Sequence, residues 1–140
     1  MTPFEPEGHR AALVIAHPGH ELRVHHWLER TRPVVLVLTD GSGHTDRSRL
    51  ASTTAILERT GATPGPIYGR LADRDLYRAI LDGDADLFAA LADEIAGILE
   101  NQGVEYVAGD AVEGFNPATT CAGCCSTRPS CGSRRRVAVA

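Results

Sequence analysis

Apolar residues in this chain fall into short unbroken runs separated by stretches of helical periodicity, and that alternation sets the expected fold. Ala11 to Ala16 is a continuous apolar run containing the β-branched residues Val14 and Ile15, as suits a strand covered on both faces. Pro18 and Gly19 end it, since neither continues a buried ladder comfortably. Glu21 to Arg30 then carries Leu22, His25 or His26, and Leu28 at roughly helical spacing, with Trp27 as an anchor. Val34 to Leu38 predicts a second fully apolar strand, which runs into the glycine-rich turn Thr39-Asp40-Gly41-Ser42-Gly43-His44. A helix from Arg47, with Asp46 as its cap, stops at Gly61. After Thr63-Pro64-Gly65-Pro66, the pair Ile67-Tyr68 stands where a third strand belongs but is short for one. Asp75 to Leu81 predicts a short helix, and Ala85 to Asn101 a longer one with Phe88, Leu91, Ile95 and Leu99 on one face. Val104 to Ala108 predicts a further strand running into Gly109-Asp110. Strands alternating with helices, over connections long enough for crossovers, predict an α/β fold: a Rossmann-like parallel sheet with flanking helices. Pro3 and Pro6 make residues 1–10 an irregular leader.

Composition narrows the class. At 140 residues the chain has one domain's length. Its 43% hydrophobic and 23% charged content is that of a soluble globular protein. A formal net charge of -4 provides no domain-wide basic field, which argues against nucleic acid as a partner. No apolar run approaches the ~20 residues needed to span a bilayer, and the first ten residues lack a signal pattern. The expectation is a cytoplasmic protein without membrane contact, of undetermined oligomeric state. The chain contains no lysine; since lysine codons are A-rich, the simplest account is a GC-rich gene.

Candidate chemistry gathers just past the first strand. His17, His20 and Glu21 follow its carboxyl end, the edge of an open α/β sheet where ligands bind. Two imidazoles three positions apart across a tight turn can converge on one metal ion, with bonds of ~2.0–2.1 Å for zinc. The plainer alternative is a surface histidine pair beside a turn. The remaining histidines (His9, His25, His26, His44) read as solvent-facing, His44 being the one closest to the second strand's end.

The run Ala16-His17-Pro18-Gly19-His20-Glu21, continued by Val37-Leu38-Thr39-Asp40-Gly41 and the Arg47 to Gly61 helix, resembles the zinc-dependent sugar N-deacetylases called LmbE-like or PIG-L. Their signature is a buried strand ending in Ala-His-Pro-Asp-Asp-Glu, and the resemblance extends to about Ala118. It implies hydrolysis of an N-acetyl group on a small glucosamine-type substrate, with zinc polarising the amide carbonyl and acidifying a bound water. It implies His17 as the first metal ligand and His20 as the second, where the family has aspartate. Gly19 stands where the family carries its general base, and loss of such a base costs ~10²–10⁴ in rate. Glu21 and Asp40 are the nearby carboxylates that could substitute; the competing reading is that they order the turn and cap a helix. The family's third ligand comes from a His-Pro-Asp-His segment, replaced here by Asn116-Pro117-Ala118-Thr119. Asn116 is then a substrate-binding candidate, and Thr119 is not a useful zinc ligand. The implied protein binds zinc weakly or not at all and hydrolyses poorly. The alternative is a non-catalytic sugar- or nucleotide-binding domain that uses the turn at Gly41 to Gly43.

From Thr119 the character changes. All four cysteines (Cys121, Cys124, Cys125, Cys131) and the run Arg134-Arg135-Arg136 lie in this tail, without core-forming periodicity. One reading is a small metal-binding or basic appendage. The other is an out-of-frame translation. Threonine codons (ACN) become NAC one base earlier, and the shifted frame can read Asn-Pro-Ala-His-Asp-Val-Cys-Arg-Val-Leu-Leu, which returns a histidine to the third-ligand position and then an apolar helix. The expected domain organisation is therefore a leader over 1–10, an incomplete deacetylase-like domain over 11–118 whose C-terminal part is missing, and a disordered tail over 119–140. Such a chain should leave one sheet edge open and be marginally stable.

Overall fold

The structure, a computed structural model, describes residues 5–111, Ala118 and the backbone of 136–139. Strands β1 (Ala11–Ile15), β2 (Val34–Thr39), β3 (Thr63–Leu71), β4 (Tyr106–Gly109) and β5 (Arg136–Val139) form one sheet in the order β3-β2-β1-β4-β5. Every pairing is parallel. The intervening helices are α1 (His25–Thr31), α2 (Leu50–Thr60), α3 (Asp73–Asp82) and α4 (Ala85–Asn101), with a 3-10 segment at His20–Val24 leading into α1. This is a small parallel α/β fold, compatible with the Rossmann-like class, whose strand order begins the same way.

The apolar runs are explained by burial on both faces. Side chains alternate across a strand, so Leu13 and Ile15 of β1 join Val35 and Val37 of β2, Leu28 of α1 and Leu57 of α2 on one side. Ala12 and Val14 join Leu36, Leu38, Ile67, Leu76 of α3, and Ile95 and Leu99 of α4 on the other. The long helix has the bounds its periodicity predicts, and Asp84 caps it by accepting from Leu87 N at 3.0 Å. Among the described residues no helix is long and apolar enough to cross a membrane.

Four expectations need correction. The third strand is nine residues long and includes Pro64, Gly65 and Pro66. It lies at the sheet's edge, where a missing N–H costs no ladder bond on the outer side, and the register with β2 shifts between Val35 and Val37, consistent with a bulge. Asp46 does not cap α2: it has φ 52°, and the cap position is Arg49. The segment after β1 begins as a 3-10 turn, not as one α-helix. The tail is not irregular throughout, because 136–139 pairs with β4 in register Tyr106↔Arg136 to Gly109↔Val139. Hydrogen-bonding groups along β4's outer edge favour a partner strand, and Val137-Ala138-Val139 has the composition for one.

Candidate functional site

The carboxyl ends of β1, β2 and β3 open into a cleft of about 900 Å³ lined by His17, Gly19, His20, His44 and Asp73, among others. That size is near the top of the ~300–1,000 Å³ range of small-molecule sites. Between β1 and β4 the chain reverses its direction of travel across the sheet, the switch point at which ligands bind in this architecture. The two histidines singled out from sequence lie there. Their ring centroids are 5.5 Å apart and their planes meet at 81°.

Each ring is anchored through the same nitrogen. His17 Nδ1 sits 3.0 Å from Asp73 Oδ1 and 2.8 Å from Thr39 Oγ1, while Thr39 Oγ1 donates to the carbonyl of Ala16 at 3.0 Å. His20 Nδ1 sits 2.9 Å from Asp110 Oδ1, whose other oxygen accepts from Ala16 N at 2.7 Å. A carboxylate can only accept, so the network assigns a proton to Nδ1 in both rings, and Nε2 is the nitrogen that faces away from the carboxylates as the second position of each imidazole. Carboxylates holding histidine Nδ1–H groups are the arrangement that orients metal-ligating imidazoles. Two imidazoles on one tetrahedral ion would have centroids about 5 Å apart, given metal–nitrogen bonds of ~2.0–2.1 Å. The observed separation fits. Among the described residues, however, no group of three His, Cys, Asp or Glu could hold a metal ion, whereas a usual catalytic zinc site has three protein ligands.

Asp73 begins α3, and its Oδ2 accepts from Gly43 N at 2.8 Å, tying the glycine turn after β2 to the helix after β3. Burial pushes its pKa up, but the neighbouring Thr39 hydroxyl, the hydrogen bond from Gly43 N and the His17 ring together outweigh burial and hold it below the ordinary carboxylate value. Tyr77, one turn further along α3, stacks on His17 with centroids 6.4 Å apart and planes 18° from parallel.

Glu21 and Asp40 do not line the cleft. Glu21 is 1% exposed and accepts from Gly19 N at 2.7 Å and from Thr53 Oγ1 at 2.9 Å. It braces the turn that carries His20. Asp40 Oδ1 accepts from Ser42 N at 3.0 Å, forming an Asx turn. His44 is exposed and lines the cleft. Asn116, Thr119 and the four cysteines lie outside the described residues.

Sequence reading did not find Asp73, Asp110 or the cleft's arginines. Asp110 was within reach of the rule that picked out His17, since it follows a predicted strand at its carboxyl end. Asp73 carried no comparable signal, because the strand before it is masked by two prolines. Compared with protein-family models, with curated proteins and with solved structures, the chain matches none.

Proposed function

We propose that the cleft is the site of a zinc-dependent hydrolase acting on an N-acetylated glucosamine-type sugar, impaired in the chain as written. The reading follows from the likeness of Ala16 to Glu21 to the LmbE-like and PIG-L motif. The observation that supports it is the shared cleft in which His17 and His20 lie 5.5 Å apart, each with Nδ1 on a buried carboxylate. Zinc held by His17 and His20 would supply Lewis-acid polarisation of the amide carbonyl and would acidify a water. His17 and His20 would hold the ion, and Asp73, Thr39 and Asp110 fix the rings' orientation. With glycine at position 19 and threonine at 119, the base and the third ligand of the family pattern are absent, so zinc is held weakly and turnover is slow. The sheet being Rossmann-like belongs to the same proposal.

One observation favours a second reading. Glu21 and Asp40, the substitutes available for the missing base, are engaged in ordering the backbone away from the cleft. A sugar-binding domain without hydrolysis needs neither. Zinc titration followed by calorimetry, with acetate release from N-acetylglucosamine measured on the same sample, separates the two. One zinc per chain, lost in His17→Ala and His20→Ala and accompanied by acetate, supports the hydrolase. Sugar binding that is indifferent to zinc supports the binding domain and rejects the hydrolase.

A further inference from the structure

At the opposite end of the sheet, where the parallel strands begin, lies a second cavity of about 370 Å³, within the ~300–1,000 Å³ range of small-molecule sites. Its walls include His9 and Arg10 ahead of β1, Thr31 and Arg32 at the end of α1, Thr63 at the start of β3, and Gln102 after α4. None of these lines the cleft that holds His17 and His20. Two guanidinium groups and an imidazole line the cavity, and among the described residues no carboxylate does, in a chain whose formal charge is -4.

The two arginines differ. Arg10 is committed: its Nη1 donates to the carbonyl of Gln102 at 3.0 Å, and its backbone N–H donates to Glu105 Oε2 at 2.7 Å. His9 is engaged as well, with Nδ1 3.1 Å from Glu105 Oε1. Arg32 is exposed, and its guanidinium makes no ion pair or hydrogen bond among the described residues. Its backbone is also in a conformation that does not suit it. Arg32 ends α1 with φ 46° and ψ 56°, donating its N–H to the carbonyl of Leu28 at 2.9 Å. The same left-handed position after α2 and after α3 is filled by Gly61 and Gly83, as that conformation favours; a side chain there is strained. The stem of Arg32 lies along the glycine that ends α2, since a Cβ on Gly61 would stand 3.3 Å from Arg32 Cδ. Backbone and stem are thus held, while the charged end lines the cavity without a counter-charge. The terminal carbonyls of α1 and α4 carry partial negative charge, but the Arg32 N–H and the Arg10 side chain each take up one of them.

We infer that this cavity is a second ligand site, for the oxyanion of a small metabolite, with Arg32 as its principal cation and Arg10 as the other. Guanidinium pairs phosphoryl and carboxylate oxygens bidentately and keeps its charge at any working pH. A ligand that pairs Arg32 accounts for a strained residue whose charge the fold itself does not use. The site goes beyond the hydrolase reading and does not depend on it.

NMR titration of the full chain with inorganic phosphate and, separately, with succinate tests the site at low and moderate salt. The comparison uses wild type, Arg32→Gly, Arg32→Lys and, as a control of equal charge change on the turn after β2, Arg47→Gln. The expected result is a saturable shift of the Arg10, Thr31 and Thr63 amides that weakens with salt and is unchanged in Arg47→Gln. Saturation by phosphate alone assigns a phosphoryl group, and by succinate alone a carboxylate. Arg32→Gly removes the cation and relieves the left-handed backbone, so binding is lost in a chain that melts no lower than wild type. Arg32→Lys keeps the charge without the fork, and affinity falls roughly tenfold. Shifts confined to the cleft at the other end, no saturable shift with either anion, or binding retained in Arg32→Gly overturns the site. Should Arg32→Gly fail to fold, Arg32→Lys decides: an affinity equal to wild type in that variant overturns the site.

Discussion

His20 and Asp110 are separated by ninety positions in sequence and by 2.9 Å between Nδ1 and Oδ1. The same carboxylate receives the Ala16 amide, so one side chain closes β1 against β4 and sets the ring that follows. Asp110→Asn tests the coupling. An amide has one acceptor oxygen where the carboxylate has two, and it cannot serve both donors. The expected outcome is a His20 ring whose proton moves from Nδ1 toward Nε2, read from histidine nitrogen shifts. If the chain binds zinc, affinity falls by about 10–100-fold. An unchanged tautomer would show that Asp110 does not set it.

Asp73 makes the acid limb of stability predictable. Its pKa is lowered in the folded chain, so the stabilisation it gives is present above the unfolded value of about 4 and is lost as pH falls through the folded value. Urea melts from pH 7 downward should show Asp73→Asn less stable than wild type near neutrality, with the gap closing below about pH 4. A gap that stays constant across that range would mean the charge of Asp73 is not what matters.

Glu21 separates a structural carboxylate from a catalytic one. Both of its oxygens accept in a site only 1% exposed. Glu21→Gln places an amide NH₂ toward one of those donors, and the expected cost is about 1–3 kcal/mol, seen as a lower melting temperature. A stable Glu21→Gln chain with altered turnover would reverse that assignment.

Gly41 has φ 67°, and a Cβ there would lie 2.9 Å from Pro18 Cδ and 3.0 Å from Arg49 Nε. The turn after β2 therefore packs directly on the turn after β1. Gly41→Ala should lose at least about 1 kcal/mol, from left-handed backbone strain and the close approach together. Gly83 also has positive φ but nothing within 4 Å, so Gly83→Ala isolates the strain alone and should cost less.

Pairing of 136–139 with β4 gives the tail a measurable role. Removing residues 136–140 uncovers the outer edge of β4, and the expected outcome is a lower melting temperature with concentration-dependent self-association by light scattering. Unchanged stability and a monomeric shortened chain would show that β5 contributes nothing to the fold.

Much of the fold was legible in the sequence because its strongest signals are local. β1, β2 and α4 lie within two residues of their predicted bounds, since an unbroken apolar run or a one-faced helical stripe records which sides are covered. β3 was legible only as Ile67-Tyr68. Two prolines hide it, and whether a proline is tolerated depends on whether its strand lies at an edge, which no local pattern states. The same limit governs the site. His17 and His20 stand beside one strand end and are visible together, whereas Asp73, Asp110 and Thr39 reach them from other strands and helices. Their roles depend on strand order and register. The sequence by itself determined the alternation of elements and the end of the sheet where chemistry gathers. Only the tertiary structure decided which carboxylates face imidazoles and which brace a turn, because hydrogen bonds depend on distances in space, and the chain encodes those only through packing.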